Sequence, residues 1–149
     1  MGSQSDYPVM KDAEKILKIL KIKFEVLTVS AHRTPKRMFE FAENAAKKGF
    51  AVIIAGAGGA AHLPGMVSSL ATVPVIGVPI ESKKLKGLDS LLSIVQMPKG
   101  CPTATMAING SFNAGLYAAS IIGTFDTKVR SNLEKWKRIQ TQSIKKKPK

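Results

Sequence analysis

The sequence predicts an α/β fold in which a parallel sheet is covered by helices on both faces. Segments of helical period alternate with short apolar runs along the chain. Those runs, such as "FAVIIA" and "VPVIGVP", are apolar at successive positions, as a strand buried on both faces requires. Polar or glycine-rich turns then separate the ends of the runs from the next helix starts, which is where a parallel sheet gathers its functional groups.

In chain order, Met10, Ala13, Ile16, Leu17 and Leu20 form a helical stripe, with lysines on the other face. The strand-like "FEVLTV" follows. Thr34 to Lys48 repeats the helical pattern through Phe39, Ala42, Ala45 and Ala46, with Thr34 as cap, Pro35 at the first helical position and Gly49 as terminator. "FAVIIA" gives the next strand, and after the turn "GAGGAAH" the stretch Leu63 to Leu70 reads as a short helix. "VPVIGVP" is another buried strand, "ESKKLKG" a polar loop, and Leu88 to Val95 a short helix. A connection punctuated by Pro and Gly leads into the strand "ATMAI". Helices near Phe112 to Ile122 and Asp126 to Gln140 close the pattern. The last carries Val129, Leu133 and Trp136 on one side, beyond what a sheet sandwich needs, and is expected to pack on a neighbouring subunit.

The 149 residues fit a single domain, with a C-terminal helix and basic tail over about 126–149. "MGSQSD" has no apolar h-region, and no apolar run approaches the roughly 20 residues of a membrane span, so a soluble, cytoplasmic protein is expected. Cys101 is the only cysteine, cannot form an internal disulfide and is read as a packing residue. The net charge is +13, but Lys128 to Lys149 holds nine Lys or Arg against Glu134 alone. No aromatic residues interleave with "SIKKKPK" as stacking platforms, so it reads as a solvated tail rather than a nucleic-acid arm. One feature is awkward. The fold class calls for an apolar strand ahead of "GSQSD", where only Met1 stands; either the sequence as given begins after that strand or another segment takes its place.

Three turns are candidate chemistry: "GSQSD" (Gly2 to Asp6), "SAHRTP" (Ser30 to Pro35) and "AGAGGAAHLPG" (Ala55 to Gly65). Each opens a helix, so all three can face one crevice. Ser3 and Ser5, with helix-terminal N–H groups, suit a phosphate, while Asp6 suits either sugar hydroxyls or a helix cap. Gly56, Gly58 and Ala61 match G-x-G-x-x-A, with Glu81 about 20 residues on, although that fingerprint belongs in the first strand-to-helix turn. Glycine and alanine here also leave room for close approach to a small planar ligand. His62 is open to a structural or a catalytic reading.

Together "GSQSD", "SAHRTP", "AGAGGAAHLPGM", "GVP" and "DSLLSIVQMPKGCPTAT" resemble the class I N5-carboxyaminoimidazole ribonucleotide mutases of purine biosynthesis, from Gly2 to about Ile122. The resemblance implies a flavodoxin-like three-layer α/β/α sandwich, a homo-octamer, no cofactor or metal, and a functional link to the ATP-dependent N5-carboxylating synthetase. It also implies that Ser3 and Asp6 hold the ribonucleotide, Arg33 holds its phosphate, and Ser30 and His32 flank the imidazole ring. Ala57, Gly58, Ala60 and Leu63 would line the pocket where the carboxylate moves, with His62 close by.

The implied reaction is isomerisation of the N5-carbamate to the C4-carboxylate by loss, retention and recapture of CO2. An imidazole, with an ordinary pKa of roughly 6.5, suits the proton step, and His32 is assigned it. Two other activities fit less of the sequence: direct carboxylation of aminoimidazole ribonucleotide with CO2, as in class II relatives, and a dinucleotide-dependent oxidoreductase using Gly56 to Ala61.

Overall fold

The structure, a computed structural model, describes residues 1–147. Its elements are a 3-10 turn (Gln4–Asp6), α1 (Tyr7–Ile19), α2 (Pro35–Asn44), β1 (Ile53–Gly58), α3 (Leu63–Leu70), β2 (Val75–Ile80), α4 (Leu88–Val95), β3 (Ala104–Thr105), α5 (Ser111–Ile122) and α6 (Thr127–Ser143). β1, β2 and β3 form a parallel sheet in that order, with Ile53 opposite Val75, Gly58 opposite Ile80 and Ile76 opposite Ala104. This is the three-layer flavodoxin-like α/β arrangement. Among the described residues no helix is long and apolar enough to cross a membrane.

The alternation of strand side chains builds a core on each face of the sheet. Ile53, Ala55, Ala57 and Val75 pack with Met38, Ala42, Leu63, Val67 and Ile94 from α2, α3 and α4. Ile76, Val78 and Ile80 turn the other way, against Met10 of α1 and Ala114 and Ala118 of α5. α1 and α5 approach closely because the contact is made of small residues. A Cβ on Gly115 would meet Ile16 and, at 3.2 Å, the carbonyl of Ala13.

Several sequence expectations shift. "FEVLTV" is not a regular strand: Val29 N–H donates to Met1 O at 2.8 Å and the α-amino group of Met1 donates to Leu27 O at 3.0 Å, but no ladder continues. A strand needs a partner along its length, and here the partner is Met1 alone. β1 begins three residues later than "FAVIIA" and runs through Gly58, so Gly56 to Gly58 of the anticipated glycine turn are strand. β3 is confined to Ala104–Thr105, although Met106 and Asn109 still donate to Gly77 and Pro79 of β2. The helix expected over Thr34 to Lys48 ends at Asn44, and Thr34 makes no side-chain cap.

The final helix corrects a larger expectation. Val129 and Leu133 are buried against Ile16, Leu20 and Ala119, and Trp136 lies beside Phe112. The apolar stripe of α6 therefore covers its own chain, closing a second layer over α1 and α5. Asp126 caps α6 by accepting N–H bonds from Lys128 and Val129. Part of the basic tail, residues 148 and 149, lies outside the described residues.

Candidate active site

The three polar turns meet at the carboxyl edge of the sheet, around a cleft of about 720 Å³. Ser3, Ser5, Asp6, Ser30, His32 and Arg33 line it, with Ala57, Gly58, Ala60 and Leu63 beneath. The third turn reaches this edge because it follows β1, and the bonds of Met1 to Leu27 and Val29 and of Gly2 to Gly56 hold the other two turns beside it.

The first turn is held by a capping box. Ser3 Oγ accepts from Ser5 N–H at 3.3 Å, and Asp6 Oδ2 accepts from Ser3 N–H at 2.9 Å. Ser5 Oγ lies 2.9 Å from Ser3 Oγ, so the two hydroxyls form a polar pair at the rim. Asp6 is buried. Burial pushes its carboxyl pKa above the ordinary value because the charged form loses water, while bonds from Ser3, Ser5 and Gly2 and the nearby α-amino charge oppose that rise. Asp6 thus serves as a cap and also faces the cleft.

The second turn carries Ser30, His32 and Arg33 in reach of the first. Arg33 donates through Nη2 to Gly2 O at 3.1 Å and through Nε to Ser30 Oγ at 3.4 Å, which ties the two turns together. Ser30 Oγ also accepts from Arg33 N–H at 3.2 Å. Instead of capping α2, Thr34 Oγ1 accepts from Ser30 N–H at 2.9 Å and donates to Ser30 O at 3.1 Å. That reciprocal pair fixes the loop from which His32 projects.

His32 reaches the third turn. Its Nε2 lies 2.8 Å from Nδ1 of His62, with the rings edge to face. One nitrogen of this pair donates and the other accepts, so a single proton lies on the axis between two imidazoles. His62 stands at the start of α3 and touches the cleft through His32. Gly59 turns the chain out of β1 with φ +68°, a left-handed conformation costly for a residue with a Cβ. Its N–H donates to Ser90 Oγ at 2.8 Å, and Ser90 donates to Ile80 O at 2.7 Å.

The dinucleotide reading of this turn fits poorly. Gly56 and Gly58 lie inside β1, where the fingerprint needs a tight turn at the head of a helix.

The family model described as AIR carboxylase matches residues 1–143. The chain belongs to that family. It is 58% identical over 137 residues to the N5-carboxyaminoimidazole ribonucleotide mutase of Thermotoga maritima, covering 92% of this chain and 80% of the relative. It is 51% identical over 144 residues to the chloroplastic phosphoribosylaminoimidazole carboxylase of Vigna aconitifolia, covering 97% of this chain and 26% of that protein. Among solved structures, PurE of Treponema denticola superposes with a TM-score of 0.86 at 26% identity, covering 95% of this chain and 89% of the other.

Sequence reasoning missed one wall of this AIR carboxylase family cleft. Ile80, Glu81, Ser82 and Lys83 line it as well. Asn109 holds the Glu81 backbone by accepting its N–H at 2.9 Å, and Ser82 Oγ donates to Asp89 at 2.7 Å. "ESKKLKG" read as a polar loop, with Glu81 noted for the dinucleotide fingerprint alone, yet the available signal was its position at the carboxyl end of a buried strand. Ser90 could not be found that way, because its role appears only when α4 packs beneath Gly59. Among the described residues no three His, Cys, Asp or Glu side chains are grouped to hold a metal ion. Cys101 is partly buried, with Sγ 3.5 Å from Gly65 O.

Proposed function

We propose that this protein isomerises N5-carboxyaminoimidazole ribonucleotide to 4-carboxy-5-aminoimidazole ribonucleotide in purine biosynthesis. One observation carries the reading: the His32–His62 pair stands at a cleft whose rim is Ser3, Ser5, Asp6 and Arg33 and whose floor is Ala57 to Ala60. The rim suits a ribonucleotide. Arg33 offers charge-assisted bonds to phosphate, and Ser3, Ser5 and Asp6 offer acceptors and donors to phosphate and ribose. Ser30 and His32 flank the ring.

The proton balance explains the imidazoles. When the carbamate loses CO2 the exocyclic nitrogen gains a proton, and when C4 captures CO2 it loses one. His32 can make both transfers, with His62 as the second station of the relay. Between the steps CO2 must stay near C4, and the small side chains of Ala57 and Ala60, with Gly58 and Leu63, make a confined place for it. No cofactor enters this scheme.

The test is purified protein with the N5-carboxylated substrate, following formation of the C4-carboxylate without ATP or added bicarbonate. Lack of conversion would overturn the proposal. The name of the Vigna relative supports a second reading, direct carboxylation. Efficient turnover of aminoimidazole ribonucleotide at dilute bicarbonate would favour it.

The homo-octamer implied by the sequence resemblance is proposed as well. Leu85, Leu88, Leu92 and Val95 are exposed large apolar residues with helical spacing on and just before α4, a surface suited to burial between copies. A cytoplasmic location and hand-over of the labile carbamate from an ATP-dependent N5-carboxylating enzyme belong to the same reading.

A further inference from the structure

Where β1 and β2 part, a side chain interrupts their hydrogen-bond ladder. Ile53 stands opposite Val75 and donates to Pro74 O, so in this parallel register each odd residue of β1 donates to the β2 residue before its partner. Continued to the end of the strands, the same rule assigns Gly59 N–H to Ile80 O. That bond is not made. Gly59 N–H donates instead to Ser90 Oγ at 2.8 Å, and the same hydroxyl donates to Ile80 O at 2.7 Å. The last rung of the ladder is therefore one oxygen atom longer than the rungs before it.

α4 delivers that oxygen. The Ser90 side chain is completely buried, as is Ile94 one turn further on, and a Cβ on Gly77 of β2 would collide with Ile94. The helix thus lies directly against the sheet. Asp89 Oδ1 accepts from Ser90 N–H at 2.9 Å and from Ser82 Oγ at 2.7 Å, which steadies the start of the helix. A buried hydroxyl that accepts from one strand and donates to the other is a spacer of fixed length.

Beyond the long rung the chain turns into the site. Gly59 takes φ +68°, and Gly58 to Ala60 become the floor of the cleft. Only Ala60 and Ala61 separate Gly59 from His62, whose N–H donates to Ala60 O at 2.8 Å, and the next residues, Leu63 to Gly65, are buried at the start of α3. His62 is held from both sides, by Gly59 before it and α3 after it. Its Nδ1 lies 2.8 Å from His32 Nε2, and a displacement of about 1 Å breaks a bond of that length.

We propose that Ser90 is a positioning residue for the reaction. Its hydroxyl spaces β1 from β2 at their carboxyl ends, and so sets the Gly58 to Ala60 floor and the alignment of His62 with His32. The role rests on the isomerase reading given above. Without the hydroxyl, Gly59 N–H and Ile80 O are left unpaired in a buried place, and closing the ladder by a direct bond draws the turn toward β2.

The experiment compares the unaltered protein with Ser90→Ala, Ser90→Cys and Ile94→Val, the last loosening α4 without touching the rung. Steady-state kinetics, urea midpoints and crystal structures are read together. Ser90→Ala is expected to lower kcat by ~10-fold or more with KM changed by less than ~3-fold. Its crystal structure should show Gly59 bonded directly to Ile80 and the His32–His62 contact lengthened beyond hydrogen-bond reach. Ser90→Cys, with a weaker donor and acceptor on a longer bond, should fall between, and Ile94→Val should lower the midpoint while keeping kcat. Normal kcat in Ser90→Ala, or in Ser90→Cys should the alanine variant not fold, would overturn the proposal. So would an equal loss of kcat in Ile94→Val, or an unmoved His32–His62 contact. Absence of turnover in the unaltered protein would refute the isomerase reading instead, and the crystal structures would still decide whether Ser90 places His62.

Discussion

His32 and Arg33 are adjacent in the chain, but their side chains leave the turn in different directions, one toward His62 and the other toward Gly2 and Ser30. On the proposed reaction His32→Asn keeps the binding rim and should lower kcat by ~10² or more with little change in KM, the scale of losing a general acid/base. Arg33→Ala should chiefly raise KM, with Arg33→Lys restoring part of the loss, because phosphate is bound before and after the chemistry. Steady-state kinetics of the three variants separates these roles. If His32→Asn turns over normally while His62→Asn does not, the proton carrier is His62. Asp6 offers a pH test. Its folded pKa is raised, so its contribution to stability is complete below the unfolded value of about 3.9 and is lost as pH rises through the folded value. Asp6→Asn should remove that part of the pH dependence in urea titrations across the acid range, while weakening substrate binding at neutral pH.

Between elements, the closest test is the α1–α5 contact. Alanine in a helix interior is ordinarily better than glycine by about 1 kcal/mol. At Gly115 the new Cβ would meet Ile16 and the Ala13 carbonyl, and backbone cannot step aside without separating the helices. Overpacking of this kind costs about 1–3 kcal/mol, so Gly115→Ala should lower the urea midpoint despite its better propensity. α6 gives the opposite kind of test. Leu133 is buried against Ile16 and Ala119 of the same chain. Leu133→Ala should destabilise the fold by about 2–4 kcal/mol, read by denaturation, and do so whatever the oligomeric state.

For the whole molecule, the proposed assembly places the exposed residues of α4 between copies. Leu88→Glu with Leu92→Glu would bring carboxylates into that contact and should reduce the mass seen in sedimentation while leaving the far-UV spectrum of the chain intact. An unchanged mass would remove α4 from the interface. The charge asymmetry belongs to the same scale. Neither the lysines of α6 nor Lys145 to Lys147 line the cleft, where the cations among the lining residues are Arg33 and Lys83.

The sequence alone determined the alternation of elements, the burial of "VPVIGVP" on both faces and the assignment of Ser3, Asp6, Ser30, His32 and Arg33 to turns. Apolar period and turn chemistry are local, and parallel connectivity then sends those turns to one edge. The same local reasoning read "FEVLTV" as a strand, since nothing in six apolar-rich residues reports whether a neighbour exists to bond them. It left Ser82 and Lys83 in an ordinary loop and gave α6 to another subunit, because which face of a helix meets which surface is set by packing at long range. Only the tertiary structure brought His32 within 2.8 Å of His62, thirty residues away, and set Ser90 beneath Gly59. Those contacts depend on how α3 and α4 seat against the sheet, and their geometry is fixed by the shapes of the side chains between them.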